Sequence, residues 1–440
     1  MGETAIMPAK WAESAKAAKT TTSAKSAKSA KSAKTAQPAR PACLARVENG
    51  HMHASTDTAA SRSETFDTAI VGAGIAGASL AWRLLQAEPA CRVLLVEAEA
   101  QPGYHSSGRS AAMFMPSYGP PAVRALTRAG RAFYAAPPAG FCEVPLLQPR
   151  GVLYVAAPGQ AEQLDALQAE LAPACPGLQR ITAAAALARV PSLRPQQLLA
   201  ALWDPASTDI DVHALHQGYL RGFRRAGGLL RCSARLLSAR RLAKRWQLRL
   251  ADGATVSATT LVNAAGAWAD ELAALCGAAP VGLVPRRRSA FTFRAPEGVD
   301  ASGWPAVVAV DEGCYFKPDA GQLLGSAANA DDCPAHDVQP EDIDIALGIH
   351  RIEAITTLRI PRPTATWAGL RSFVADGELV IGFDDACAGF FWLVGQGGYG
   401  IQSAAGASAM AASLLLGQPL PAELQAEGLD PTTLAVQRLR

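Results

Sequence analysis

The sequence lacks any uninterrupted apolar run of about 18 residues, so no transmembrane helix is expected. Its N-terminus lacks the charged stretch, apolar core and small-residue cleavage site of a secretory signal. Cysteine is present in an odd number, nine, without a Cys-x-x-Cys pair or a metal-ligand spacing. That argues against a disulfide framework or a bound metal, and for isolated reduced thiols in a cytoplasmic setting. Lysine is scarce beyond the start: seven of the nine fall before residue 35, and the remainder of the chain uses arginine almost exclusively. The formal net charge of +3 therefore says little about the folded part. No Ser-His-Asp constellation or pair of catalytic carboxylates is apparent, which points away from hydrolytic chemistry.

What is present is enough for a large core. The 440 residues are 49% hydrophobic and 18% charged, a soluble globular composition with room for two or three domain-sized units. Residues 1–64 stand apart. "TTTSAKSAKSAKSAKTAQPARPA" has almost no large apolar side chains and cannot offset its ordering entropy, so a solvated, disordered tail is expected. A chain starting at Met52 would lack most of it, and nucleic-acid contact through it is not expected.

The globular part opens with "SETFDTAIVGAGIAGASLAWRLLQ". "DTAIVG" reads as a buried strand, Ile75 to Leu85 as a helix, and "CRVLLVE" as a second buried strand, the beginning of a doubly wound α/β domain. Between the first strand and the helix, Gly72, Gly74, Ala76 and Gly77 belong to a G-x-G-x-x-G turn. Gly72 permits the sharp turn, Gly74 lets backbone approach a pyrophosphate, and Gly77 lets helix pack on strand. Glu97, 25 residues after Gly72 and followed by Ala98, ends the second strand where a carboxylate can accept ribose hydroxyls.

After residue 150 the pattern changes. "GVLYVAA" reads as a strand, and two helical stretches follow between about residues 159 and 190. "DIDVHALHQGYLRGFRRAGG" has helical spacing and a glycine stop, while "RWQLRLADGATVSA" alternates as a hairpin around Asp-Gly. Residues 283–365 read as several antiparallel strands and one helix near 341–357. Two glycine-rich returns follow the same logic as the first turn: "LVNAAGAWAD", ending a strand at Asn263 to Gly266, and "GQGGYGIQSAAG". In the latter Gly397, Gly398 and Gly400 let backbone pass close to a flat ring, and the helix that follows offers its positive end. A chain that comes back three times to one cofactor suits a flavin better than a nicotinamide. Parallel-type and antiparallel-type segments alternate, so two domains are expected to interleave.

The segments "VGAGIAGAS", "QPGYHSSGRSAA", "LVNAAGAWAD", "RRSAF", "WAGLRSFVADG" and "FFWLVGQGGYGIQ" resemble the flavin amine oxidoreductases of the D-amino-acid oxidase type, and within them the D-arginine dehydrogenases. The likeness spans about residues 65–435. It implies noncovalent FAD, and a Rossmann-like FAD domain (65–149, 205–282 and 366–440) interleaved with an antiparallel-sheet substrate domain (150–204 and 283–365). It places Ser106, Ser107, Gly108, Arg109, Ser110, Ala111, Ala112 and Met113 along the cofactor, together with Leu236, Gly266, Tyr399 and Ile401. Residues 115–121 become a proline-stiffened lid carrying Tyr118. Arg371 and Arg288 match arginines that hold the substrate carboxylate, Tyr315 and Tyr118 tyrosines that shape the pocket, and Gly369 a carbonyl facing the substrate amine. Gln402 matches a polar position at the flavin edge.

The implied activity is oxidation of a D-amino acid by hydride transfer to flavin, giving an imino acid and then a 2-oxo acid and ammonia. Oxidation of a secondary amine such as sarcosine, or of a 2-hydroxy acid, is the alternative in the same fold. The reoxidant, oxygen or a quinone-type carrier, stays open. Met113 and Met115 stand where D-arginine dehydrogenases have a histidine and a threonine, and Gly151 where they have a glutamate suited to a guanidinium. Without that glutamate a guanidinium is costly to bury. A preference for apolar D-amino acids over D-Arg is therefore expected.

Overall fold

The computed structural model describes residues 64–440. Of the expected tail, residues 1–64, all but Glu64 lie outside the described residues, and Glu64 belongs to the first strand. In chain order the elements are β1 (Glu64–Val71), α1 (Ile75–Ala87), β2 (Val93–Val96), β3 (Met113–Phe114), α2 (Pro121–Ala135), β4 (Leu147–Pro149) and β5 (Val152–Ala156). Then come α3 (Ala161–Leu171), β6 (Gln179–Thr182), α4 (Ala183–Arg189), β7 (Ala200–Asp204), β8 (Thr208–Ile210), α5 (Val212–Arg225) and β9 (Leu229–Arg231). The middle continues with β10 (Leu236–Leu242), β11 (Arg245–Leu250), β12 (Thr255–Asn263), α6 (Ala269–Cys276), β13 (Val284–Phe293) and β14 (Ala306–Ala309). After these come β15 (Tyr315–Asp319), β16 (Gln322–Ser326), β17 (Asp331–Asp332) and α7 (Asp342–Ile355). The chain closes with β18 (Ala365–Phe373), β19 (Val380–Phe383), β20 (Phe390–Val394), α8 (Gly400–Leu416) and α9 (Ala422–Ala426).

The α/β class read from the sequence is the one observed. Strands β9, β2, β1, β12 and β20 run parallel in that order, and the antiparallel ribbon β10–β11 borders β12. Parallel strands bury both faces, which is why β2 reads Val-Leu-Leu-Val and β20 Phe-Phe-Trp-Leu-Val without alternation. One face packs beneath α1, α5 and α8 through Ile70, Leu80, Leu84, Leu220 and Met410. The other meets α6 and the β10–β11 ribbon through Leu94, Trp246, Leu248 and Leu272.

A second sheet of nine strands runs β17-β13-β16-β15-β14-β5-β7-β6, with β18 on the other side of β13. It is antiparallel except that β14 lies parallel to β5, a pairing the local pattern did not suggest. Residues 366–373, grouped with the dinucleotide segments in the sequence reading, belong to β18, which pairs with β13 along Val284–Thr292. A small third sheet, β3-β8-β4, carries the stretch that leaves the first sheet. Among the described residues no helix is long and apolar enough to cross a membrane. No group of three His, Cys, Asp or Glu is placed there to hold a metal ion, and all eight described cysteines are free.

Candidate active site

Beyond β1, Gly72 turns the chain with φ +105°. A Cβ there would stand 2.3 Å from the Ala264 carbonyl oxygen, and one at Gly77 would stand 1.9 Å from that of Gly72. Only glycine fits either place, and at Gly72 the dihedral demands it as well. Gly74 is the N-cap of α1, with no side-chain cap and no acid in the first turn, so the helix offers its amides and positive end to an anion. Buried Glu97 accepts from the amides of Ala73 (2.8 Å) and Glu99 (3.0 Å). The Ala234 amide donates to the Glu97 carbonyl, which brings Leu236, at the start of β10, beside it; Ala98 is exposed.

The stretch 103–113 runs from this turn toward the second sheet. Ser107 Oγ accepts from the Ile75 amide at 2.8 Å, and Ser106 Oγ donates to the Leu370 carbonyl at 2.6 Å, so adjacent serines hold the start of α1 and strand β18. Gly108 is forced by the Gly103 carbonyl, 2.6 Å from where its Cβ would lie. Ser106, Gly108 and Ser110 are exposed, while Ala111, Ala112 and Met113 are half-buried, Met113 pairing with Asp209. The Arg109 guanidinium is taken by protein: it donates to the carbonyls of Val338 (2.9 Å) and Ala368 (3.1 Å) and pairs with Asp337. His216, buried on α5, stands with Nε2 2.9 Å from the Ala73 carbonyl. Burial lowers its pKa, so the neutral ring donates that proton and steadies the glycine turn.

On the substrate side, register puts Arg286, Arg288, Gly369, Arg371 and Phe373 on one face of β13 and β18, since directly opposed residues share a face. Arg288 Nε donates to the Asn329 carbonyl at 2.5 Å, and Arg371 Nη1 lies 3.4 Å from the Tyr118 hydroxyl. Among the described residues no carboxylate forms an ion pair with either guanidinium. Desolvation and then the neighbouring Arg371 lower the Arg288 pKa. For Arg371 desolvation works the same way, but the oxygens of Tyr118, Tyr315 and Tyr399 outweigh it and the pKa is raised. Burial of Tyr315 is likewise outweighed by the two guanidiniums, which lower its pKa. The Gly369 Cβ position faces Arg109 and Ser106 at 3.6 and 3.9 Å.

The third glycine stretch closes the site. Gly397, at φ +51°, donates to the Ser372 carbonyl at 2.9 Å, and a Cβ on Gly398 would come 2.9 Å from Arg371 Nη1. Tyr399 meets Tyr118 edge to face with ring centres 5.0 Å apart. It precedes α8, whose first turn, Gly400 to Gln402, has neither a side-chain cap nor an acid. Gly266, at φ +56°, turns the chain after β12.

Two helix N-termini free of acids, a turn with no room for side chains, and unpaired guanidiniums describe a site for a dinucleotide and an anion. The model of the FAD dependent oxidoreductase family (DAO) matches residues 67–414. This chain belongs to that family. Its cofactor is FAD. Among solved structures, the glycine oxidase from Geobacillus kaustophilus superposes with a TM-score of 0.73 at 23% identity, covering 86% of this chain and 99% of the other. The iminodiacetate oxidase from Chelativorans sp. BNC1 gives 0.72 at 22% (84% and 98%), and the L-amino acid deaminase from Proteus vulgaris 0.70 at 15% (85% and 97%).

The residues of this DAO-family chain fit the cofactor: Gly72, Gly74 and Gly77 leave backbone open to a pyrophosphate at α1, and the Glu97 carboxylate, beside that turn, could accept ribose hydroxyls. The side-chain amide of Gln402, expected at the flavin edge, is bonded to the backbone of Met115 and Tyr118. At Gly151, φ +72°, a Cβ would stand 2.0 Å from the Trp203 ring, so no side chain can occupy that position while the indole is there.

Sequence reasoning missed Glu312, on the turn between β14 and β15 at φ +57°. The residue is exposed at the turn, yet desolvation of its carboxyl, against the pull of Arg288 and Arg371, raises its pKa to about 7. Glu378 was missed too. Its carboxylate takes the amides of Ala122 and Val123 at the start of α2. Each lies in a turn close to another acid, Asp311 or Asp376, and nothing local sets it apart from that neighbour.

Proposed function

We propose that this protein is a D-amino-acid dehydrogenase or oxidase. It takes the amine of a D-amino acid to an imino acid, which water converts to a 2-oxo acid and ammonia. The observation that carries this reading is the pair Arg288 and Arg371, two guanidiniums on one sheet face with no carboxylate partner among the described residues. A substrate carboxylate is the counter-ion such a pair lacks, and the arginine fork holds it in a fixed plane. Tyr118 and Tyr315 add hydroxyls beside it, and the Gly369 carbonyl takes an N–H of the amine. Residues 65–149, 205–282 and 374–440 would form the cofactor half, and the nine-stranded sheet, β18 included, the substrate half.

FAD, when bound, supplies the two-electron acceptor. The polypeptide's share is orientation: the arginines fix the carboxylate, the amine is held at a carbonyl, and the Gly397–Gly400 turn leaves no side chain in the way. The amine reacts as the free base, so flavin reduction should rise with pH; a flat profile would count against this. The D configuration rests on the likeness of "QPGYHSSGRSAA" and "WAGLRSFVADG" to D-arginine dehydrogenases. Preference for D-Met, D-Leu or D-Phe over D-Arg rests on Trp203 closing off position 151, and on Met113 and Met115 packing with Tyr154 and Val308.

An anaerobic flavin-bleaching screen tests both levels, with D- and L-amino acids, sarcosine and 2-hydroxyglutarate as arms. Bleaching by apolar D-amino acids is expected. Strong preference for D-Arg overturns the side-chain assignment, and bleaching only by sarcosine or the hydroxy acid overturns the substrate class. Admitting air afterwards reports whether oxygen is the reoxidant.

A further inference from the structure

Gln402 is 3% exposed on the first turn of α8. Its Oε1 accepts from the Met115 amide at 3.2 Å, and its Nε2 donates to the Tyr118 carbonyl at 3.0 Å. Met115 and Tyr118 are themselves the ends of a turn, closed by the Tyr118 amide donating to the Met115 carbonyl at 3.0 Å. One side-chain amide thus bonds backbone at both ends of that turn.

The chain beyond the turn cannot swing. Glu378 holds the Ala122 and Val123 amides at 2.9 and 3.2 Å. Helix α2 then crosses α8 so closely that a Cβ on Gly406 would lie 2.2 Å from the Leu126 carbonyl oxygen, and one on Gly130 3.1 Å from Ala405 Cβ. Any displacement of Tyr118 therefore arises within residues 115–121, the piece that Gln402 ties to α8.

We infer that Gln402 is a positioning residue, a latch that sets the place of Tyr118 over the substrate arginines and must let go for residues 115–121 to lift. The assignment of Tyr118 to the substrate pocket rests on the proposed function; the latch itself does not. Gln402 acts through the backbone of Tyr118, whose hydroxyl lies 3.4 Å from Arg371 Nη1.

Two substitutions in the FAD-loaded full chain test this, read by amide hydrogen exchange of peptides covering 113–121 without substrate. Gln402→Met removes both bonds and should speed exchange there about tenfold against the parent at each pH. Gln402→Glu keeps an acceptor and a donor while its carboxyl is protonated and loses the donor on ionisation. It should match the parent at low pH and exchange faster only as pH rises, a signature that mere loss of packing would not give. Peptides from β13 and α5 should not change, and KM for the amino acid should rise more than the limiting rate of flavin reduction falls. Unaltered exchange of 113–121 in either variant at high pH overturns the latch, as does faster exchange spread equally over β13 and α5. Should Gln402→Met fail to load FAD, the pH response of Gln402→Glu still decides. If no D-amino acid bleaches the flavin while the exchange signature holds, the substrate reading fails and the latch stands.

Discussion

Replacing Arg288 by Met should cripple substrate binding while leaving the protein as stable as before or slightly more so. Arg288 lies beside a second guanidinium with no acid paired to it. An ion dried completely would cost several kcal/mol, but the side chain is half-buried and water reaches it, which leaves a fraction of that penalty. Against this, the substitution loses a charge-assisted bond to the Asn329 carbonyl, worth about 1.5–3 kcal/mol, and the contact with the Tyr315 hydroxyl, while it relieves repulsion by Arg371. These effects nearly cancel, so the net change in stability should lie between zero and about 1 kcal/mol in favour of Met. Binding has no such compensation. Truncating one side of a desolvated, hydrogen-bonded charge pair costs about 2–5 kcal/mol, or roughly 30- to 4,000-fold in kcat/KM.

The assay pairs a thermal-unfolding comparison of the FAD-loaded proteins, without substrate, with stopped-flow flavin reduction by D-Leu. A loss of more than about 2 kcal/mol in stability, with kcat/KM within a few-fold of the parent, would refute the reasoning. Arg288 would then be a structural arginine whose counter-charge has been misjudged.

Gly77→Ala should yield protein largely free of FAD: the new methyl would stand 1.9 Å from the Gly72 carbonyl, and its overpacking of about 1–3 kcal/mol falls on the dinucleotide turn. Flavin absorbance per protein reports it. Asp344→Ala should cost about 1–3 kcal/mol, because it removes the most buried of the three acids around Arg287 and leaves Ser289 Oγ without its acceptor. It also frees Asn329, whose carbonyl orients Arg288, so KM should rise along with the loss of stability seen by chemical denaturation. Glu312 binds its proton more tightly folded than unfolded, 4.5 being the ordinary value and about 7 the folded one. Its contribution is therefore complete below the lower value and fades as pH climbs through the upper. Glu312→Gln should flatten the fall in stability across that window, and an unchanged pH–stability curve would show the carboxyl to be solvated.

The parts legible in the sequence are those whose cause is local. Gly72 and Gly77 announce themselves because steric exclusion by a carbonyl leaves one residue type, and β2 and β20 because burial on both faces removes alternation. Strands β6 and β10 escaped notice: β6 is mostly exposed, β10 alternates only weakly, and their pairing partners, not their residues, make them strands. The parallel contact of β14 with β5 joins residues about 150 apart and has no local signature. Arg109 shows the limit for single residues. The family likeness puts it along the flavin, and its backbone does lie in that stretch, but Asp337 and two carbonyls claim its guanidinium.

The three consecutive arginines of β13 separate structural charge from functional charge. Arg286 pairs with Asp332, and Arg287, pointing to the opposite face, is met by Asp331, Glu341 and Asp344. Arg288 forms no ion pair among the described residues: its bonds go to a carbonyl and a phenol, and the Glu312 carboxyl feels its pull without bonding it. All three share one local sequence, so helix or strand propensity cannot account for the difference; the sheet supplies acids to two and withholds them from the third. A fold gains nothing from leaving one guanidinium unpaired beside another, Arg371, when Asp and Glu surround their neighbours. The arrangement makes sense when the missing negative charge arrives with a ligand. That is why the unpaired Arg288 and Arg371 say more about chemistry here than the glycine turns, which fix only where the cofactor lies.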